Sequence, residues 1–176
     1  DMNDSTLRNH IYLNDGSGSL ESTPLWSSES MFPTIGVEMA DIDDDGDIDM
    51  LVTNEGHHLD GGGSWGGYLE YYENEGGFET TPTWTNATAL EVNTRSAARL
   101  SDIDGDKDLD LAFGQDRGAL IVLEFDAGMF QNIPLWSSCI TTLDGGGFMY
   151  EGYCESKNAP IAWDDMNQDL SLIHIS

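Results

Sequence analysis

Basic residues are scarce in this chain: six lysines and arginines face thirty-three aspartates and glutamates, for a formal charge of -27. A surface of that sign repels phosphate backbones and anionic headgroups, which excludes nucleic acid and bare lipid as partners. Long apolar runs are missing too. No window approaches the ~18 apolar residues of a membrane span, so no direct membrane insertion is expected. Asp1-Met2-Asn3-Asp4 is followed by no signal-like apolar stretch, so either a signal has been removed or the N-terminus is missing. A sustained 3.6-residue apolar period is absent as well, which argues against helices. Cysteine is limited to Cys139 and Cys154, which bracket Gly145-Gly146-Gly147. Their spacing suits a disulfide closing a flexible loop in an oxidising compartment, with two free thiols as the alternative. A metal pair lacks the further Cys or His it would need nearby.

Aromatic residues, by contrast, are plentiful. Five Trp, six Tyr and six Phe, together with recurrent β-branched runs, supply apolar surface to bury and argue against a disordered acidic chain. The main signal is a repeat. Ala40-Asp41-Ile42-Asp43-Asp44-Asp45-Gly46-Asp47-Ile48-Asp49-Met50-Leu51 recurs 61 residues later as Ser101-Asp102-Ile103-Asp104-Gly105-Asp106-Lys107-Asp108-Leu109-Asp110-Leu111-Ala112. One more step reaches an eroded copy, Trp163 to Leu172, which keeps Asp165, Asn167 and Asp169. A second landmark alternates with the first: Ile11 to Gly16 with Pro24-Leu25-Trp26, Tyr71 to Gly76 with Pro82-Thr83-Trp84, and Val122 to Gly128 with Pro134-Leu135-Trp136.

Strands are expected at Ile48 to Thr53, Tyr68 to Glu73, Leu109 to Gly114 and Ala119 to Phe125. These runs are short, β-branched or aromatic, and end in Gly, Asn or Asp. Asp116-Arg117-Gly118 reads as a tight turn, whereas Glu55 to Gly67 is a long Gly-rich connection. Four strands per ~61 residues, radially repeated, is the arithmetic of a β-propeller blade. The expected fold is therefore all-β, a propeller fragment of about three four-stranded blades. Residues 1–34 end one blade, 35–94 form a blade with loop 41–49, 95–157 form another with loop 102–110, and 158–176 open a further one. So few blades imply further blades of the same chain. Ser171 to Ser176 breaks the Asp-Leu-x-Leu pattern and is similar to translated sequencing-adapter sequence, so a non-native tail is expected there.

The aspartates occupy positions 1, 3, 5 and 9 of D-x-D-x-D-G-x-x-D: Asp41, Asp43, Asp45 and Asp49, then Asp102, Asp104, Asp106 and Asp110. Alternate residues of a tight loop can deliver several hard oxygens to one point, which suits calcium (Ca2+) better than magnesium. Asp47 and Asp108, at position 7, are expected to offer backbone carbonyls. An EF-hand would need a bidentate Glu at position 12 and a following helix, but position 12 is Val52 or Phe113 within a strand. Gly46 suits a positive-φ turn in the first loop; Lys107 holds that position in the second, where Gly105 is expected to relieve the strain. Asp165, Asn167 and Asp169 form a weaker third candidate.

These residues resemble the FG-GAP and VCBS repeat family, whose calcium-binding blades also occur in integrin α-subunit heads. The resemblance rests on both acidic loops, the Tyr12 to Gly16 turn and the Pro-x-Trp strands. It implies a propeller with calcium in the loop joining the first two strands of each blade. It also implies a secreted or cell-surface module that binds an extracellular protein or glycan, or an ancillary domain of a larger secreted hydrolase or lyase.

No catalytic set of nucleophile, base and orienting group can be assembled around His10, His57, His58 or His174, so an enzyme is not expected. Trp26, Trp84 and Trp136 share one repeat position and are expected to pack in the core or between blades. Trp65 and Tyr68, at the Gly-rich loop, are the candidate ligand contacts. Asn3-Asp4-Ser5 and Asn86-Ala87-Thr88 fit the N-glycosylation pattern.

Overall fold

The computed structural model describes residues 8–54, 68–86, 98–114 and 120–137, together with the backbone of four later strands. In chain order the strands are β1 His10–Ile11, β2 Trp26–Ser27, β3 Thr34–Ala40, β4 Asp49–Asn54, β5 Tyr68–Tyr72 and β6 Trp84–Thr85. They continue as β7 Arg99–Ser101, β8 Asp110–Gly114, β9 Leu120–Leu123, β10 Phe125–Asp126, β11 Met129–Phe130 and β12 Trp136–Ser137. The four strands known as backbone are β13 Ile140–Thr142, β14 Phe148–Tyr150, β15 Trp163–Asp164 and β16 Ile173–His174. All described secondary structure is β, and among the described residues no helix is long and apolar enough to cross a membrane.

Two four-stranded sheets carry the architecture, ordered β3-β4-β5-β6 and β7-β8-β9-β12, and every pairing is antiparallel. Neighbouring strands follow one another in the chain, except that β9 pairs with β12 across the β10-β11 hairpin. The short pair β1-β2 precedes the first sheet. The same outer contact closes all three units: Leu25 N–H donates to Ile11 O at 2.7 Å, Thr83 to Tyr71 at 2.8 Å and Leu135 to Val122 at 2.9 Å.

The interior strands are buried along their whole length rather than alternately, because both faces of each sheet are covered. β4 is buried at all six positions, and β5 and β8 at four of five. One face of the first sheet, with Leu51, Leu69, Tyr71 and Trp84, meets Ile121, Leu123, Phe125 and Phe130 in a continuous cluster. Its other face, with Met50, Val52 and Tyr72, packs beneath Trp26, Ile11 and Phe78. Each such side chain contributes about 1.5–3 kcal/mol by burial, so these two layers outweigh any surface ion pair in holding the units together.

The expected strands fall within two residues of those observed, with one informative break. The run expected from Ala119 to Phe125 stops at Leu123, because Phe125 leaves the sheet to pair with Phe130 in a separate hairpin. The recurring tryptophans also divide. Trp26 packs edge-on to Tyr72 and Phe78, and Trp84 edge-on to Phe130 at 5.3 Å, so each lies against an aromatic of the following unit. Trp136 is 50% exposed, contrary to the expectation of packing, and no aromatic equivalent to Phe78 or Phe130 meets it among the described residues. Asn86 is buried, its Oδ1 accepting from Leu69 N–H at 2.7 Å, which removes it as a glycan acceptor in the folded state.

Candidate metal centre

Each acidic loop connects the first two strands of a sheet, Asp41–Asp49 between β3 and β4 and Asp102–Asp110 between β7 and β8. The loops fold by the aspartates' own chemistry: short carboxylate side chains accept backbone N–H groups two to five residues on, which curls the chain. In the first loop, Asp45 N–H donates to Asp41 Oδ1 at 3.1 Å and to Asp43 Oδ1 at 3.2 Å. Gly46 N–H donates to Asp41 Oδ2 at 3.1 Å, and Asp47 N–H to Asp45 Oδ1 at 2.8 Å. In the second, Gly105 N–H donates to Asp102 Oδ1 at 2.6 Å and Asp106 N–H to Asp104 Oδ1 at 3.2 Å.

Both loops take left-handed backbone at their fourth and sixth positions. These are Asp44 (φ 57°) and Gly46 (φ 100°) in the first, and Gly105 (φ 88°) and Lys107 (φ 92°) in the second. Gly105 therefore does not spare Lys107, as the sequence led us to expect. The turn needs positive φ at both positions, and each loop places a glycine at only one of them.

Position 9 is a tie as much as a candidate ligand. Asp49 is 1% exposed and Asp110 is 0% exposed. Asp49 Oδ2 accepts from Ile42 N–H and its Oδ1 from Asn74 N–H, both at 2.9 Å. Asp110 repeats this with Ile103 at 2.9 Å and Phe125 at 3.0 Å. Each carboxylate thus joins its loop to the residue just past the third strand, Asn74 or Phe125. Asn74 adds a side-chain bond to Ile48 O at 3.0 Å. Sequence reading missed Asn74 and Phe125; the signal was their shared place just after the third strand.

Carboxylate oxygens of Asp41, Asp43 and Asp49 lie within 4.8 Å of one another, as do those of Asp102, Asp104 and Asp106. Asp45 and Asp110 stand outside these closest groups. Without a cation the arrangement is electrostatically costly. Burial, then the charges of Asp49 and Asp45, pushes the Asp43 carboxyl above its ordinary value. Asp49 and Asp110 are raised chiefly by burial, against the hydrogen bonds they accept. Asp108 is pushed up to about 7 by burial, by its hydrogen bond with Asp106 and by the charges of Asp106, Asp110 and Asp104. Tyr71 and Glu73 are raised too, first by burial and then in part by the first loop's charges.

The donor set fits a hard cation: only oxygens converge, and the buried Oδ1 of Asp108 has no hydrogen-bond partner among the described residues. Asp41, Asp43 and Asp49 would hold an ion in the first loop and Asp102, Asp104 and Asp106 in the second. Such an ion would supply the positive charge that each cluster lacks.

Comparison with known families bears on the first of these loops: residues 3–52 match the family described as FG-GAP-like repeat. That segment is similar to an FG-GAP-like repeat. Among curated proteins and among solved structures, none matches the chain. The FG-GAP-like repeat spans β1, β2, β3, the first acidic loop and most of β4, so it begins in one sheet and ends in the next. Of the other expected site residues, Tyr68 is 38% exposed and stacks on Phe32 at 4.9 Å. Trp65, Cys139, Cys154, Asp165, Asn167 and Asp169 lie outside the described residues, as does the turn at Asp116 to Gly118.

Proposed function

We propose that this chain is a noncatalytic, calcium-binding β-propeller module of the secreted or cell-surface space, which binds a protein or glycan through loops on one face. The observation that carries the reading is the duplicated loop. Two sets of three carboxylates converge within 4.8 Å at equivalent points of successive repeats, and both sets are braced by a buried position-9 aspartate. Mutual repulsion would open such loops, so their retention in duplicate is best accounted for by a divalent ion that offsets it. The acidic surface fits partners other than nucleic acid or anionic lipid. In this role the metal is structural: it fixes the loops at one end of the sheets, and partner specificity comes from the opposite end, where Asn54 ends β4 and Tyr68 begins β5.

Thermal melting during a calcium titration tests this reading. Extracellular modules bind at ~0.1–1 mM, so the melting temperature is expected to climb across that range. A flat response at millimolar calcium, with magnesium giving the same curve, would remove the calcium cages from the account.

A further inference from the structure

The two acidic loops touch each other. Ile42, fully buried between Asp41 and Asp43, donates its N–H to Asp49 Oδ2 at 2.9 Å. The carbonyl of Ile42 accepts the N–H of Leu109 at 2.7 Å, and Leu109 sits between Asp108 and Asp110 of the second loop. Alongside this main-chain bond, Lys107 Nζ lies 3.8 Å from Asp44 Oδ2, and both residues occupy the positive-φ positions of their loops.

We propose that the two loops bind cations cooperatively, occupancy of either one raising the affinity of the other through the Ile42 peptide. The inference rests on the cation-binding reading above. Closing Asp41 and Asp43 on an ion fixes the backbone of the residue between them. That fixes the acceptor which holds Leu109, and with it the segment between Asp108 and Asp110. The second loop then loses less conformational freedom when it binds, which is cooperativity through ordering. Direct repulsion between two dications opposes this, but at 0.15 M salt it is screened over about 8 Å between exposed loops. Coupling must be reciprocal: each loop affects the other by one factor, and a factor of about fivefold or more is the size at which such coupling is commonly found.

Calorimetric calcium titration of the full chain in 0.15 M salt tests this with three variants. The pair D41N/D43N disables the first loop, and D104N/D106N the second. L109P keeps every carboxylate but removes the N–H that contacts Ile42. The wild-type protein is expected to bind two ions with the second step favoured. Each single-loop variant is expected to bind one ion about fivefold or more weakly, by the same factor in both directions. L109P is expected to bind two ions independently at that weaker affinity; should circular dichroism show it unfolded, the single-loop pair decides alone. Single-loop variants that keep wild-type affinity, or bind more tightly, would overturn the coupling while leaving the cation reading intact. Absence of binding in every protein would overturn both.

Discussion

Glu38 and Arg99 occupy the same position of successive repeats, 61 residues apart, and their side chains form an ion pair between the first strands of the two sheets. A repeat that kept one charge at this position would set like charges against each other; the reversal of sign turns that contact into an attraction. Both partners are partly exposed, at 33% and 45%, so the pair is worth at most about 1 kcal/mol. Reversing Glu38 alone (E38R) or Arg99 alone (R99E) is expected to lower stability by about 0.5–1 kcal/mol, and the double reversal to recover most of it. Urea denaturation of the four proteins measures the coupling, and the difference should shrink at 1 M salt.

The position-9 tie predicts a contrast within one loop. In the presence of a chelator, Asp49→Ala leaves the N–H groups of Ile42 and Asn74 without their acceptor and should cost about 2–4 kcal/mol. Asp43→Asn, which removes one of several crowded charges, should be neutral or mildly stabilising under the same conditions. Chemical denaturation of both variants in chelator checks the order; equal losses would assign Asp49 no role of its own.

Lys107 carries a positive φ with a long side chain. Lys107→Gly should relieve that conformation and raise stability by about 1 kcal/mol, because the exposed contact to Asp44 at 3.8 Å contributes little. A fall in melting temperature would show that the contact outweighs the backbone strain.

The hydroxyl of Tyr71 is buried without a hydrogen-bond partner among the described residues, while its ring meets Phe125 at 5.5 Å and Phe130 at 5.7 Å. Tyr71→Phe keeps the ring contacts and deletes the orphaned group, so the variant is expected to be more stable by about 1 kcal/mol. Thermal melting in chelator reads this without interference from bound metal.

Proton and cation should compete for the same sites. The carboxyls of Asp43, Asp49 and Asp110 are raised in the folded state, and Asp108 is raised to about 7. A raised folded value means that protonation favours the fold, so this contribution is present at low pH and lost as pH rises through the folded values. In chelator, lowering the pH from 8 to 5.5 is therefore expected to raise the melting temperature, with Asp108 titrating in that window. With millimolar calcium the ion replaces the proton, and the increment due to calcium should shrink over the same descent. Melting curves at four pH values, with and without calcium, separate the two trends.

The repeat was legible in the sequence because the aspartates at alternate positions and the strand ends that follow them are local features with fixed spacing. The FG-GAP-like match over residues 3–52 and the two four-stranded sheets bear out that part. Contacts between repeats were less legible. Nothing local in the chain says that Leu109 bonds Ile42, since those partners meet only once the sheets stack, and Asp49 reaches Asn74 only once β4 and β5 have paired. The exposure of Trp136 and the burial of Asn86 escaped for the same reason: identical motifs take their environment from neighbours distant in sequence. Lys107 was misjudged because the backbone shape of the turn overrides the preference of the residue that occupies it.

The segment that matches the FG-GAP-like repeat gives two strands to one sheet and two to the next, so its end falls inside a sheet rather than between sheets. A cut after residue 52 would part β3 and most of β4 from β5 and β6, leaving a row of open N–H and C=O groups along β4. Excision that keeps β3 through β6 together leaves that sheet's ladders whole.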